Sequence, residues 1–172
     1  LDERLFESTP TRTELEHDLR ARMAGADAAD PERQVDLLRQ FQRAAVFRVA
    51  VPDLTGRLPV MKVSDRLTDI AELIVEEALD LSWHQIVVRH GVPGYGPADG
   101  ALSQAGMIVV AYGKFGGIEL GYGSDLDLVF LYDVAPDDPD ADAMPQRYAR
   151  LAQRVNTWLT SMTAAGHLYE TD

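Results

Sequence analysis

The chain has 172 residues, 46% of them apolar and 26% charged, with a net charge of −12 and no cysteine. That composition supports a buried core rather than a disordered tail, and the missing thiols exclude disulfides, zinc–thiolate sites and cysteine nucleophiles. With 28 acids against 16 bases and no basic run of five, nucleic acid is not an expected partner.

No apolar run approaches the roughly 20 residues of a membrane helix, so no membrane partner is expected. The opening LDERLFESTP lacks the basic start and apolar stretch of a secretion signal, which points to the cytoplasm. The length favours one domain, or one plus part of a second. The chain has no initiating Met and stops in mid-pattern at Glu170-Thr171-Asp172, so it reads as a piece of a longer polypeptide.

The first hundred residues read as helices. Thr11 to Glu14 has capping-box spacing, and Gly25 is placed to end that helix. Asp30-Pro31 suits an N-cap followed by the first helical residue, because proline lacks the N–H that would be orphaned there. Leu37, Leu38, Phe41, Ala44, Ala45 and Val49 then recur at helical spacing, with Pro52 expected to end the run. A longer helix is expected after Ser64, with a stripe of Leu67, Ile70, Ala71, Ile74, Val75, Ala78 and Leu81, closed by Gly91. Such stripes are core, and Trp83 and Trp158 read as packing too. Gly91 to Gly100 reads as a linker or mobile loop.

The texture then changes. Met107 to Tyr112 reads as a buried strand and Asp125 to Tyr132 as a second. Asp133 to Asp142 is a solvated acidic loop; it lacks the glycine and terminal acid of a calcium loop. Tyr148, Leu151, Ala152, Val155, Leu159 and Met162 form another helical stripe, ended by Gly166. His167 to Tyr169 is placed to begin a third strand. The fold class is therefore α+β, a helical region over residues 1–100 packed on a β-β-α-β core over residues 101–172.

The chemistry lies in YGKFGGIELGYGSDLDLVFLYD, Tyr112 to Asp133. Strand side chains alternate faces, so Asp125 and Asp127 share one face while Leu126, Leu128 and Phe130 take the other. Paired carboxylates repel, and a hard divalent cation compensates them. Mg²⁺ binds through one or two carboxylates plus substrate phosphates. With a third carboxylate, two ions about 3.5–4 Å apart can flank an in-line displacement. Gly116 and Gly117 let backbone approach phosphate oxygens and could form an anion nest. Seven residues separate Gly117 from Asp125, and Ser124 adds a hydroxyl beside the first carboxylate. A lone G-G is usually a turn, and a lone D-x-D is usually surface charge. Between two apolar strands, the combination points to metal-assisted nucleotidyl transfer.

Competing glycine motifs fail. There is no G-x-x-x-x-G-K-[ST], and the twelve residues between Tyr112 and Asp125 are too few for a dinucleotide crossover. Lys114 reads equally as a phosphate contact or a solvated cation, and Glu119 either orients a loop or faces water. His17, His84, His90 and His167 lack ligand spacing and read as structural or solvated.

Gly116-Gly117 followed by Asp125-x-Asp127 resembles the DNA polymerase β-like nucleotidyltransferase superfamily. The full string, with GRLPVMKVSDRLTDIAE (Gly56 to Glu72) and the final GHLYETD, is similar to the glutamine synthetase adenylyltransferase family. Gly121 to Ser124 and the upstream LPVMKVSD resemble its C-terminal, adenylylating copy more than its phosphorolytic, AMP-removing one. The resemblance implies a partial nucleotidyltransferase fold with ATP as substrate, Mg²⁺ as cofactor and glutamine synthetase as acceptor. A signalling protein of the PII type is a further implied partner. It maps a third metal carboxylate onto Asp172, beside Asp125 and Asp127, and nucleotide contacts onto Gly116, Gly117 and Ser124. Phe115 stands where the family more usually has Leu, and the basic segment expected after the third aspartate is missing. The fragment is accordingly expected to be inactive alone. A non-catalytic module that binds nucleotide or a partner is the reading from a different class.

Overall fold

A computed structural model describes residues 9–27, 30–90, 106–134, 140–162 and 166–172. The expected loop at Gly91 to Gly100, and Asp137 and Asp138 of the acidic loop, lie outside the described residues. Three helices come first: α1 (Arg12–Met23), α2 (Pro31–Leu54) and α3 (Val60–His90). Strand β1 (Met107–Ala111) leads into a single helical turn, α4 (Gly113–Gly116). Strand β2 (Leu128–Tyr132), a 3₁₀ turn (Ala141–Ala143) and α5 (Met144–Thr160) follow.

Helix α1 starts at a complete capping box. The Thr11 hydroxyl accepts from the Glu14 N–H at 3.3 Å, and the Glu14 carboxylate accepts from the Thr11 N–H at 2.7 Å. The helix ends at Met23 before Gly25 is reached, with Ala24 as its C-cap in right-handed helical geometry. Asp30 caps α2 by accepting from the Arg33 N–H at 3.0 Å, with Pro31 as the first helical residue.

Pro52 does not end α2. It sits buried in the last turn, where the missing donor interrupts only one bond near the helix end. The stop is Gly56, at φ +68. The Gly56 N–H donates to the Asp53 carbonyl at 2.8 Å and the Arg57 N–H to the Pro52 carbonyl at 2.8 Å. This crossed pair is the Schellman closure, which needs a left-handed residue at its centre. Helix α3 begins at Val60 rather than after Ser64. The Pro59 carbonyl accepts its first bonds from Lys62 and Val63, at 2.8 and 3.1 Å. Val60 and Met61 are exposed, but Val63 is buried four residues before Leu67, so the apolar stripe runs one turn further toward the N-terminus than expected.

The helical stripes form the core as expected. Leu38, Phe41, Ile70, Ala71, Ile74 and Ala78 are fully buried, each large side chain contributing about 1.5–3 kcal/mol. Leu15 of α1 joins them, and so do Phe115, Leu126, Leu128, Val155 and Leu159, so one core runs from the helices into the sheet. A second cluster gathers Trp83, Ile86, Met107, Met144, Tyr148 and Leu151. Arg12 ties α1 to α3 through Asp69, Glu72 and Glu76.

Strands β1 and β2 pair antiparallel, with Met107 opposite Tyr132 and Ala111 opposite Leu128. The Tyr112 N–H extends the ladder to the Asp127 carbonyl at 2.9 Å. The expectation that Met107 to Tyr112 is buried holds at Met107 alone. Val109, Val110 and Ala111 are half-buried, while Ile108 and Tyr112 are 59% and 58% exposed. Apolar residues occupy both strand faces, but the core covers only one. Helix α5 buries Tyr148, Leu151, Val155 and Leu159; Met162 lies beyond its end and is exposed. The segment after Gly166 pairs with the sheet at Thr171, two residues beyond the Tyr169 limit of the expected strand start.

Candidate functional site

The segment preceding β2 is extended and lies between two neighbours. On one side is β1. On the other, Leu126 forms a parallel bridge with Thr171. The Leu126 N–H donates to the Glu170 carbonyl at 2.9 Å, the Asp172 N–H to the Leu126 carbonyl at 3.1 Å, and the Leu128 N–H to the Asp172 carbonyl at 3.2 Å. Leu126 and Leu128 are buried, whereas Asp125 is exposed and Asp127 half-buried. The two aspartates therefore share the outer face, as alternation along an extended chain requires.

Paired residues of parallel strands point to the same side of a sheet. With Leu126 opposite Thr171, Asp127 comes beside Asp172 and Asp125 beside Glu170. Asp172 and Glu170 are both exposed. Backbone pairing thus gives the outer face four carboxylates, contributed by two adjacent segments. Glu170 was not singled out from sequence, because its neighbour across the sheet is fixed only by the parallel register. The side chains do not converge as they stand: among the described residues, no group of three or more His, Asp and Glu is gathered closely enough to hold a metal ion.

The glycine turn abuts this face. Gly113, at φ +54, opens α4, and a Cβ there would come within 2.0 Å of Asp127 Oδ2. The carboxylate of Asp127 leans into the space that the absent side chain leaves. Gly116 is equally confined, since a Cβ would lie 2.5 Å from the Ala111 carbonyl oxygen. The N–H groups of Gly116 and Gly117 are engaged inside the turn, donating to the Tyr112 and Gly113 carbonyls at 2.8 and 3.0 Å. What this pair supplies is bare, closely packed backbone rather than two free donors. Ile118 follows at φ +58, an unusual conformation for a β-branched residue and a local strain of about 1–3 kcal/mol.

Ser124 closes the next turn. Its Oγ accepts from the Gly121 N–H at 2.9 Å, beside Asp125. Between them Tyr122 donates its hydroxyl to Asp53 Oδ2 at 2.8 Å, pinning the loop to the end of α2. Burial and this carboxylate push the Tyr122 phenol up to about 12, so it remains a donor at neutral pH. No local motif announces that contact, whose partners are 69 positions apart in the chain. Lys114 and Glu119 are exposed. His17 is exposed as well, and His84 Nδ1 lies 2.8 Å from the Asp80 carbonyl oxygen within its own helix.

The fold and this face define an α+β chain whose sheet presents carboxylates from neighbouring segments beside a tight glycine turn. The family model described as Glutamate-ammonia ligase adenylyltransferase matches residues 1–172. Relatives named bifunctional glutamine synthetase adenylyltransferase/adenylyl-removing enzyme occur in Pseudomonas putida, at 46% identity over 98% of this chain, and in Aromatoleum aromaticum, at 44% over 100%. The one from Methylococcus capsulatus is 42% identical over 100% of the chain. The chain belongs to the glutamate-ammonia ligase adenylyltransferase family, a family of nucleotidyltransferases. It spans 17%, 16% and 19% of the length of these three relatives. Among the described residues, no helix is long and apolar enough to cross a membrane.

Proposed function

We propose that this segment carries the metal-holding part of a cytoplasmic centre that transfers AMP from ATP to a tyrosine of glutamine synthetase. The observation that carries this reading is the parallel pairing at Leu126 and Thr171, which brings Asp172 beside Asp127 on the face shared with Asp125. In the reaction, the tyrosine hydroxyl gives up its proton to solvent, its oxygen bonds to the α-phosphorus of ATP, the bond from that phosphorus to the bridging oxygen breaks, and pyrophosphate leaves.

Hard carboxylate oxygens suit Mg²⁺, and the glycine cradle leaves room for the Asp127 carboxylate; Asp125, Asp127 and Asp172 are the residues that would hold the metal. Bound there, Mg²⁺ would neutralise phosphate charge as it develops. The chain's own contribution is position. The Asp127 carbonyl accepts from the Tyr112 N–H on one side, and its neighbours Leu126 and Leu128 are bonded to the Glu170–Asp172 segment on the other. Gly116 and Gly117 would be the backbone that a triphosphate approaches, and Ser124 fixes the turn next to Asp125.

A second reading is favoured by the relatives' names, which join an adenylyltransferase to an adenylyl-removing enzyme. The same face could serve phosphorolytic removal of AMP. The test is Asp127→Asn in the full-length enzyme, assayed separately for AMP transfer from ATP and for phosphate-dependent AMP release. Transfer is expected to fall at least about 100-fold, the scale of a lost charge-stabilising group, with release retained. Loss of release alone would favour the removing activity. No change in either would leave a non-catalytic module that binds nucleotide or a PII-type protein.

A further inference from the structure

A cavity of about 630 Å³ lies between the start of α2, the C-terminal part of α3 and α5. None of its lining residues belongs to the carboxylate face or the glycine turn. Three guanidiniums line it, Arg89 from α3 and Arg150 and Arg154 from α5, against one carboxylate, Glu32. Ile86 and Trp158, both buried, supply its apolar wall. Arg154 is steadied by donating to Gln85 Oε1, while Arg89 and Arg150 are exposed.

This charge runs against that of the molecule as a whole, in which 28 acids face 16 bases. Like charges brought together repel, and an anion seated among them removes that cost. Guanidinium forks match the paired oxygens of carboxylate and phosphate. The volume falls within the roughly 300–1,000 Å³ of small-molecule sites, and a mainly apolar wall with a few polar anchors is their usual lining. We propose that this cavity binds a small organic dianion, its acidic groups on the arginines of α3 and α5 and its carbon body against Trp158 and Ile86. The site is separate from the carboxylate face and does not depend on the activity proposed for that face.

The experiment titrates the full-length protein with succinate and with inorganic phosphate by calorimetry, in buffer free of nucleotide and divalent metal. At least one probe is expected to saturate. Succinate alone would mark a dicarboxylate ligand, and phosphate alone a phosphorylated one. Arg89→Ala with Arg150→Ala is expected to weaken binding at least about tenfold, the scale of a lost charge-assisted contact. Asp127→Asn is expected to leave it unchanged. Arg150→Glu, a single change at an exposed position, is expected to give the same loss and stands in if the double variant does not fold. The proposal is overturned if neither probe saturates, if the arginine variants bind as the parent does, or if Asp127→Asn abolishes binding.

Discussion

Gly113 shows how one missing side chain serves both backbone and site. At φ +54 it adopts a conformation costing an L-residue about 1 kcal/mol. A methyl group there would also sit 2.0 Å from Asp127 Oδ2. The carboxylate is the end of a side chain that can rotate, so the clash moves it rather than breaking the fold. Gly113→Ala is therefore expected to cost about 1 kcal/mol in a denaturant melt, yet to lower AMP transfer by the full-length enzyme far more than that loss implies. Unchanged transfer would separate Asp127's present position from its chemistry. Glu77, half-buried on α3, gives a second test at this scale. Burial raises its carboxyl above the ordinary 4.5, Asp80 pushes the same way, and His84 opposes. The folded chain then holds the proton more tightly than the unfolded one, so stability falls as pH rises from 4.5 through the folded value. Glu77→Gln is expected to melt with the parent below pH 4.5 and above it at pH 7. Equal melting temperatures at both pH values would refute the shift.

At the scale of elements, two glycines with similar sequence settings behave differently. Gly25 and Gly56 each follow a helix. Only Gly56 has positive φ, and it closes α2 with the crossed bonds to Asp53 and Pro52. Gly25 has open space around its Cβ position and lies after an α1 already ended at Met23. Gly56→Ala is expected to destabilise by about 1 kcal/mol, and Gly25→Ala to be neutral or stabilising by up to about 1 kcal/mol, through lost freedom of the unfolded chain. Paired thermal melts of the two variants check this; equal effects would contradict the difference in caps. The same contrast marks where sequence reading succeeds. The stripes of α2 and α3, the capping box at Thr11 and the cap at Asp30 were legible because each is a local pattern of a few residues. The ends at Gly56 and Val60 were not, since one depends on a crossed hydrogen-bond pair and the other on the bonds that the Pro59 carbonyl accepts from Lys62 and Val63. The shared face of Asp125 and Asp127 follows from alternation along the chain. Its pairing with Glu170 and Asp172 needed the parallel register, which local spacing does not encode. The Tyr122–Asp53 contact, which joins the site loop to α2, has no local signature either.

Across the whole molecule, acidity is not evenly spent. Three of the chain's basic residues face the cavity between α3 and α5, while the outer sheet face gathers Asp125, Asp127, Glu170 and Asp172. Asp125 and Asp127 are held on that face by the extended chain, and Asp172 by backbone bonds to Leu126 and Leu128. Among the described residues these carboxylates do not converge into a tight cluster, so removing charge from this face is expected to change the metal-free fold little. Asp125→Asn with Asp127→Asn keeps side-chain size and removes two of the four charges. In the full-length protein, without metal, the double variant is expected to melt at or slightly above the parent temperature. AMP transfer is expected to disappear. Mg²⁺ with ATP should stabilise the parent by mass action, about 2.7 kcal/mol at a hundredfold excess over the dissociation constant, and barely affect the variant. A melt series with and without Mg²⁺–ATP, run beside the transfer assay, separates the outcomes. A variant that melts well below the parent in metal-free buffer would assign the two aspartates a structural task. One that still transfers AMP would remove them from the metal site, leaving this face for nucleotide or partner binding alone.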